Sequence, residues 1–261
     1  MHLRDAADTL GVHYQTAYSW VRQGTLPARK TPRGYEVSEG DVRDLLARRA
    51  AGAEPPQEVH VRDWAAQATR LYAALATGDE AQARRDFARL AAGVPLSQLC
   101  DQLIAPALRQ VGVAWAAGEL SIAHEHRATA ICERLIAAEV HQPQGRPRGV
   151  AVTVTPPGER HALPAVMAAA CLREDHWQVH HLAADLPVPE VIALAAQTGA
   201  NLVVLSSATT EAARLAVREA REIRAQLPAV RVLVGRQGDT LSRLRELAKT
   251  SVPRQEQNNQ R

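Results

Sequence analysis

The stretch Gly149–Leu172, GVAVTVTPPGERHALPAVMAAACL, decides the fold. Val150 to Val154 is a short apolar, β-branched run of the kind that forms a buried strand, and Pro156-Pro157-Gly158 breaks it. An alanine-rich helical pattern follows from Ala162 to Asp175. Strand, tight loop, helix is the opening of a parallel α/β unit, and it sets Glu159, Arg160 and His161 in the loop at the strand's carboxyl end. Ligands of open α/β sheets bind in the crevice lined by such loops.

The alternation continues downstream. Strands are expected at Gln178–Leu182, Leu202–Ser206 and Arg231–Val234, and helices at Pro189–Thr198, Glu211–Gln226 and Thr240–Lys249. That is the pattern of a Rossmann-like, doubly wound parallel sheet over 149–250. Upstream, Val59 to His141 is helical throughout, with breaks at Thr77-Gly78-Asp79, Gly93-Val94-Pro95 and Ala117-Gly118. Segments of that length between short turns predict an antiparallel bundle of about four helices over 58–141. Gln142–Arg148, QPQGRPR, reads as a linker, and so does Ala50–Glu58, AAGAEPPQE. The polar tail 251–261 is expected to be disordered.

The first unit, 1–52, has a different grammar. Leu3, Ala6, Ala7 and Leu10 follow helical spacing, Gly11 ends the helix, and a second helix spans Tyr14–Arg22. Helix, short glycine turn, helix is the helix-turn-helix pattern. Gln15, Thr16, Tyr18, Ser19 and Arg22 give the second helix a polar face suited to base edges and phosphates. Arg29, Lys30 and Arg33 crowd a hairpin before Tyr35-Glu36-Val37, a basic wing for the DNA backbone. Ser38 then caps a short helix.

A chain of 261 residues with 46% hydrophobic residues has enough apolar material for such domains without cross-links. A net charge of +3 permits a nucleic-acid partner without demanding one. Cys100, Cys132 and Cys171 are too far apart for a zinc ribbon and odd in number, so they are read as reduced core residues. The start of the chain lacks a signal-peptide core, and no apolar run has membrane-spanning length, so no membrane partner and a cytoplasmic location are expected.

The order of the first fifty or so residues, with LPARKTPRGYEVSEGDV at their centre, resembles the winged helix-turn-helix of the MerR and excisionase type. The rest of the chain is similar to cobalamin-binding modules of the methionine synthase type. There a bundle precedes a Rossmann-like domain marked by Asp-x-His-x-x-Gly, a serine motif and Gly-Gly. Here Glu159-Arg160-His161 follows the first strand, Ser206-Ser207 the third, and Gly235-Arg236-Gln237-Gly238 the fourth. Alone, the Glu-x-His pair would be an ordinary solvated or helix-capping histidine, but three signals at one sheet edge reverse that reading. The resemblance implies that His161 ligates cobalt from below and Glu159 supports it. Ser206, Ser207, Gly235 and Gly238 would line a channel for the displaced nucleotide tail. Pro164 and Arg236 stand where that pattern has glycine.

Trp115, followed nine residues later by Glu125-His126, matches the Trp-x9-Glu-His signature of light-sensing, adenosylcobalamin-dependent repressors of the CarH and LitR type. The resemblance implies that Trp115 and Glu125 embrace the adenosyl group. His126 would take cobalt after light breaks the cobalt–carbon bond, and a homo-oligomer, a tetramer in that family, would then leave its DNA operator. The expected protein is a multidomain α and α/β transcriptional regulator, not an enzyme. Two alternatives stay open on sequence alone: a cobalamin-carrying methyl-transfer subunit, and a regulator of this architecture sensing another effector or a protein partner.

Overall fold

The computed structural model describes residues 1–12, 14–22, 25–31, 34–50, 63–91, 94–140 and 146–249. Arg33, most of both expected linkers, the expected bundle start at Val59 and the 251–261 tail lie outside the described residues. By contacts the chain divides into two compact units, Met1–Asp63 and Trp64–Arg261.

In the first unit α1 (Leu3–Thr9) and α2 (Tyr14–Arg22) pack on a hairpin of β1 (Ala28–Thr31) and β2 (Gly34–Val37), followed by α3 (Glu39–Ala50). The hairpin is antiparallel, with Ala28 opposite Val37 and Thr31 opposite Gly34. Leu3, Ala6, Leu10, Ala17, Leu26 and Leu45 form its core. The amino terminus is sewn into the wing, because Met1 and Val37 exchange backbone hydrogen bonds of 2.9 and 3.0 Å.

The second unit opens with α4 (Trp64–Thr77) and α5 (Glu80–Ala91), then a continuous helical run of α6 (Leu96–Leu99), a π turn (Cys100–Ile104) and α7 (Ala105–Ala116), and finally α8 (Ile122–Glu139). The π turn precedes Pro106, whose missing N–H cannot close an α-type bond to Gln102. The sheet follows as β3 (Val150–Val154), β4 (Gln178–His181), β5 (Leu202–Ser206) and β6 (Arg231–Gly235), all parallel in the order β4-β3-β5-β6. Between and after them lie α9 (Leu163–Glu174), α10 (Val188–Gln197), α11 (Thr210–Gln226) and α12 (Leu241–Lys249). The apolar residues of α10 and α11 cover one sheet face, those of α9 and α12 the other.

The alanine content of α9 has a physical cause. Leu163, Met167, Ala170 and Cys171 enter the bundle core, while Ala168 and Leu172 enter the sheet core. A helix sandwiched between two cores is apolar all round and needs small residues for both neighbours to approach. Bundle and sheet therefore share one body, and polar ties reinforce the join. The Leu96 N–H donates to Glu174 at 3.0 Å. Arg245 pairs with Asp175 and with Glu174 and donates to Ser97 Oγ at 3.0 Å. Asp101, in the π turn, accepts from the N–H groups of Leu241 and Ser242 at 2.7 and 3.0 Å, filling the orphan donors at the start of α12. The three cysteines are reduced and buried, and burial pushes the Cys132 thiol up to about 12.

Candidate functional site

The chain runs from β3 outward to β4 and then returns past β3 to β5, so the loops after β3 and β5 part company at the sheet's topological switch point. Glu159 spans that point. Its carboxylate is 1% exposed. Oε2 accepts from the backbone N–H of Ala208 and Thr209, in the loop after β5, at 2.9 and 3.1 Å. Oε1 accepts from the His161 N–H at 2.9 Å and meets His161 Nδ1 at 2.5 Å. Burial works against the charged form, but the hydrogen bonds from His161 and Ala208 outweigh it and hold the carboxyl below its ordinary value. The carboxylate fixes the imidazole with the proton on Nδ1, which leaves Nε2 as a lone-pair donor on a side chain 60% exposed.

Sequence reasoning missed what holds the loop itself. Thr155 Oγ1 donates to the Glu159 carbonyl at 3.0 Å and accepts from the Asp185 N–H, while Asp185 Oδ1 accepts from the Gly158 N–H at 2.8 Å. Thr209 both caps α11 and supports Glu159. The visible signal was a threonine just before a helical pattern, a common N-cap; the Asp185 partnership joins segments far apart in sequence and left no local trace.

Ser206, Ser207 and Gly235 lie together at the ends of β5 and β6, where they line a cavity of about 210 Å³. Its inner wall is apolar, with Ala168, Val204, Leu233 and Leu244, and its lining includes Pro164 and Arg236 as well. Ser207 Oγ donates to the Gly235 carbonyl at 2.7 Å. A Cβ on Gly235 would come no nearer than 3.8 Å to any protein atom, so the protein itself does not require glycine there. Gly238 lies in the turn after β6, at φ +93°, where a side chain would be strained.

Trp115 occupies the last turn of α7 and is 49% exposed, with Val113 at 70% and Ile122 at 61% nearby in sequence. Ser121 caps α8 as expected. His124 Nδ1 completes the capping box at 2.7 Å from Ser121 Oγ and 3.3 Å from its N–H. Glu125 and His126 thus fall in the first turn and a half of α8, which packs against α7. Thr129 Oγ1 donates to Glu125 Oε1 at 3.1 Å, and His126 Nε2 stands 4.0 Å from Glu125 Oε2. The His126 side chain is 74% exposed. Among the described residues no cluster of three or more histidine, cysteine or acidic groups could hold a metal by itself. His161 and His126 are each exposed imidazoles, a donor type that suits transition metals.

On the first unit, Gln15, Thr16, Tyr18, Ser19 and Arg22 lie on α2, and Arg29 and Lys30 on β1. Thr16 is exposed. Tyr18 is half-buried between Tyr14, stacked at 6.2 Å, and the wing's Tyr35, edge-on at 5.6 Å. The tyrosines fix the wing against α2, and Arg29 projects 81% exposed while pairing with Glu36 at 3.0 Å. Among the described residues no helix is long and apolar enough to cross a membrane.

Residues 1–50 match a helix-turn-helix domain, and 67–138 and 149–246 each match a B12 binding domain. The chain is 25% identical over 217 residues to the HTH-type transcriptional repressor CarH of Myxococcus xanthus, covering 71% of each protein. In fold it is similar to the monomethylamine corrinoid protein of Methanosarcina barkeri, with a TM-score of 0.51, 21% identity, and coverage of 67% of this chain and 86% of that one. With a helix-turn-helix domain joined to two B12 binding domains, the chain is a cobalamin-binding transcriptional regulator that is similar to CarH.

Proposed function

We propose that this regulator is a repressor that binds adenosylcobalamin as a light-sensitive ligand, and that light releases it from its operator. The observation that carries the reading is the Glu159–His161 pair: a buried carboxylate holds a largely exposed imidazole at the switch point through Nδ1, which leaves Nε2 as the donor a ligand of cobalt requires. His161 would hold the metal from below, and the Ser206, Ser207 and Gly235 cavity would receive the displaced nucleotide tail. On the upper side, the half-exposed Trp115 ring offers an apolar face suited to an adenosyl group, and Glu125 supplies a hydrogen-bond acceptor.

The bound cofactor would supply a cobalt–carbon bond that light can break. The exposed His126, at the start of α8, would then hold the metal from above. In the dark the ligand favours a homo-oligomer, a tetramer as the family resemblance implies. The oligomer presents several helix-turn-helix units together, so weak single-domain DNA contacts suffice through avidity.

The test is to load the full chain with adenosylcobalamin in the dark, record the visible spectrum, particle size and operator retention, then illuminate and repeat. The expected result is a spectral change accompanied by a smaller particle and lost DNA. His161→Ala should change the dark spectrum, and His126→Ala should abolish the post-light species. Bound corrin whose light response alters neither size nor DNA retention would refute the switch, and failure to bind corrin would refute the ligand.

A further inference from the structure

Arg236 stands where the cobalamin-module pattern has the second glycine of its pair, and it lines two cavities at once. One is the 210 Å³ channel, lined by apolar side chains together with the buried Ser206 and Ser207. The other, about 880 Å³, lies outside it on the surface of α11, where Arg214 and Arg218 sit one turn apart. Among the described residues the Arg236 guanidinium has no carboxylate partner; the nearby Asp239 carboxylate is engaged by the Arg236 backbone N–H at 2.9 Å. The side chain is exposed, and the turn that carries it is closed by backbone bonds, so the guanidinium is not part of the fold's own bonding. The cavity is lined mainly by apolar side chains with Arg236 and Arg243 as cations and Asp239 as the one carboxylate, and a guanidinium without a carboxylate partner on such a pocket fits a ligand with a neutral ring and an anionic link.

We propose that Arg236 is a specificity residue for the corrinoid tail, pairing with the phosphodiester that joins the nucleotide base to the ring while the base enters the channel. This rests on the cobalamin reading and adds discrimination to it: the protein selects complete cobalamins over corrinoids that lack the nucleotide. A charge-assisted contact made by an exposed side chain corresponds to roughly a tenfold change in affinity.

The test compares adenosylcobalamin with adenosylcobinamide, which has the same ring and upper ligand but neither phosphodiester nor base. Both are titrated in the dark by visible absorbance into the full-length wild type, Arg236→Gln and Arg236→Lys. Arg236→Gln should weaken adenosylcobalamin about tenfold and leave adenosylcobinamide unchanged, and Arg236→Lys should retain most of the affinity at low salt. An equal loss for both ligands, or no loss for either, overturns the role of Arg236 while cobalamin binding stands. A wild type that binds neither corrinoid overturns the cobalamin reading and the role of Arg236 together.

Discussion

Glu159→Gln is nearly isosteric, yet it should disable the switch-point loop, because every contact the carboxylate makes is one it accepts. Five contacts converge on its two oxygens: the His161 N–H and Nδ1 on Oε1, and the Ala208 N–H, Thr209 N–H and Thr209 Oγ1 on Oε2. A glutamine amide has one oxygen and one NH₂. With the NH₂ toward the α11 loop, two backbone donors face a donor. With the NH₂ toward His161, a single backbone donor is stranded, and the ring escapes by moving its proton to Nε2 so that Nδ1 accepts. The second arrangement costs less and should prevail. One buried donor left unsatisfied costs about 1–3 kcal/mol, and replacing charge-assisted bonds by neutral ones adds about 1 kcal/mol, so a loss of roughly 2–4 kcal/mol is expected. Equilibrium urea unfolding of the cofactor-free protein measures it. Nitrogen-15 NMR of the imidazole should show the proton moved from Nδ1 to Nε2, removing the lone pair a metal needs. A variant within about 0.5 kcal/mol of wild type, or one that keeps the proton on Nδ1, refutes the reasoning.

Asp101→Ala removes the side chain that caps α12 from the bundle, with three hydrogen bonds to Leu241 and Ser242; urea unfolding should register a loss of about 1–2 kcal/mol, a typical cap contribution. Glu219 is buried on α11, and burial first, then Glu222, raise its pKa from 4.5 to about 7, against a smaller opposing pull from Arg218. Because the folded value lies above the unfolded one, the folded state binds the extra proton, and stability falls as pH rises from about 4.5 through about 7. Glu219→Gln should therefore raise the melting temperature at pH 8 and leave it nearly unchanged at pH 4, and equal shifts at both pH values would count against the assignment.

The alternation of strands and helices was legible because each β-branched run is bounded by turn residues and each amphipathic stretch has helical spacing. β5 falls at the expected Leu202–Ser206, and α2 at the expected Tyr14–Arg22. Glu159 and His161 were legible as a pair because two residues along one loop are close whatever the fold does. What sequence could not show is what the buried carboxylate does with its second oxygen. The Ala208 and Thr209 N–H groups lie 49 and 50 residues away, and only the crossing at the switch point brings them into range. The same holds for Tyr18, which helical spacing assigns to the polar face of α2 and which the wing's Tyr35 claims as a packing partner. Local pattern places a residue on a face; it does not say which distant element reaches that face first.

The distribution of polar ties bears on how the proposed light signal travels. Bundle and sheet are fastened at the α6 and π-turn end, through Glu174, Arg245 and the three bonds from Asp101. Trp115 lies fourteen positions after Asp101 along the same helical run, about 20 Å away at 1.5 Å per residue. Swinging the whole bundle off the sheet would break these bonds at about 1 kcal/mol each and expose the core that α9 shares with both layers. That sum exceeds the 1–3 kcal/mol typical of coupling between sites. A rearrangement confined to the end of α7 and the start of α8 breaks none of them. Under the proposed reading, ligation by His126 would therefore act by reshaping the surface around Trp115 and the start of α8 while the fastened end stays closed, and a protomer contact on that surface would be lost without any unfolding of the unit beneath it.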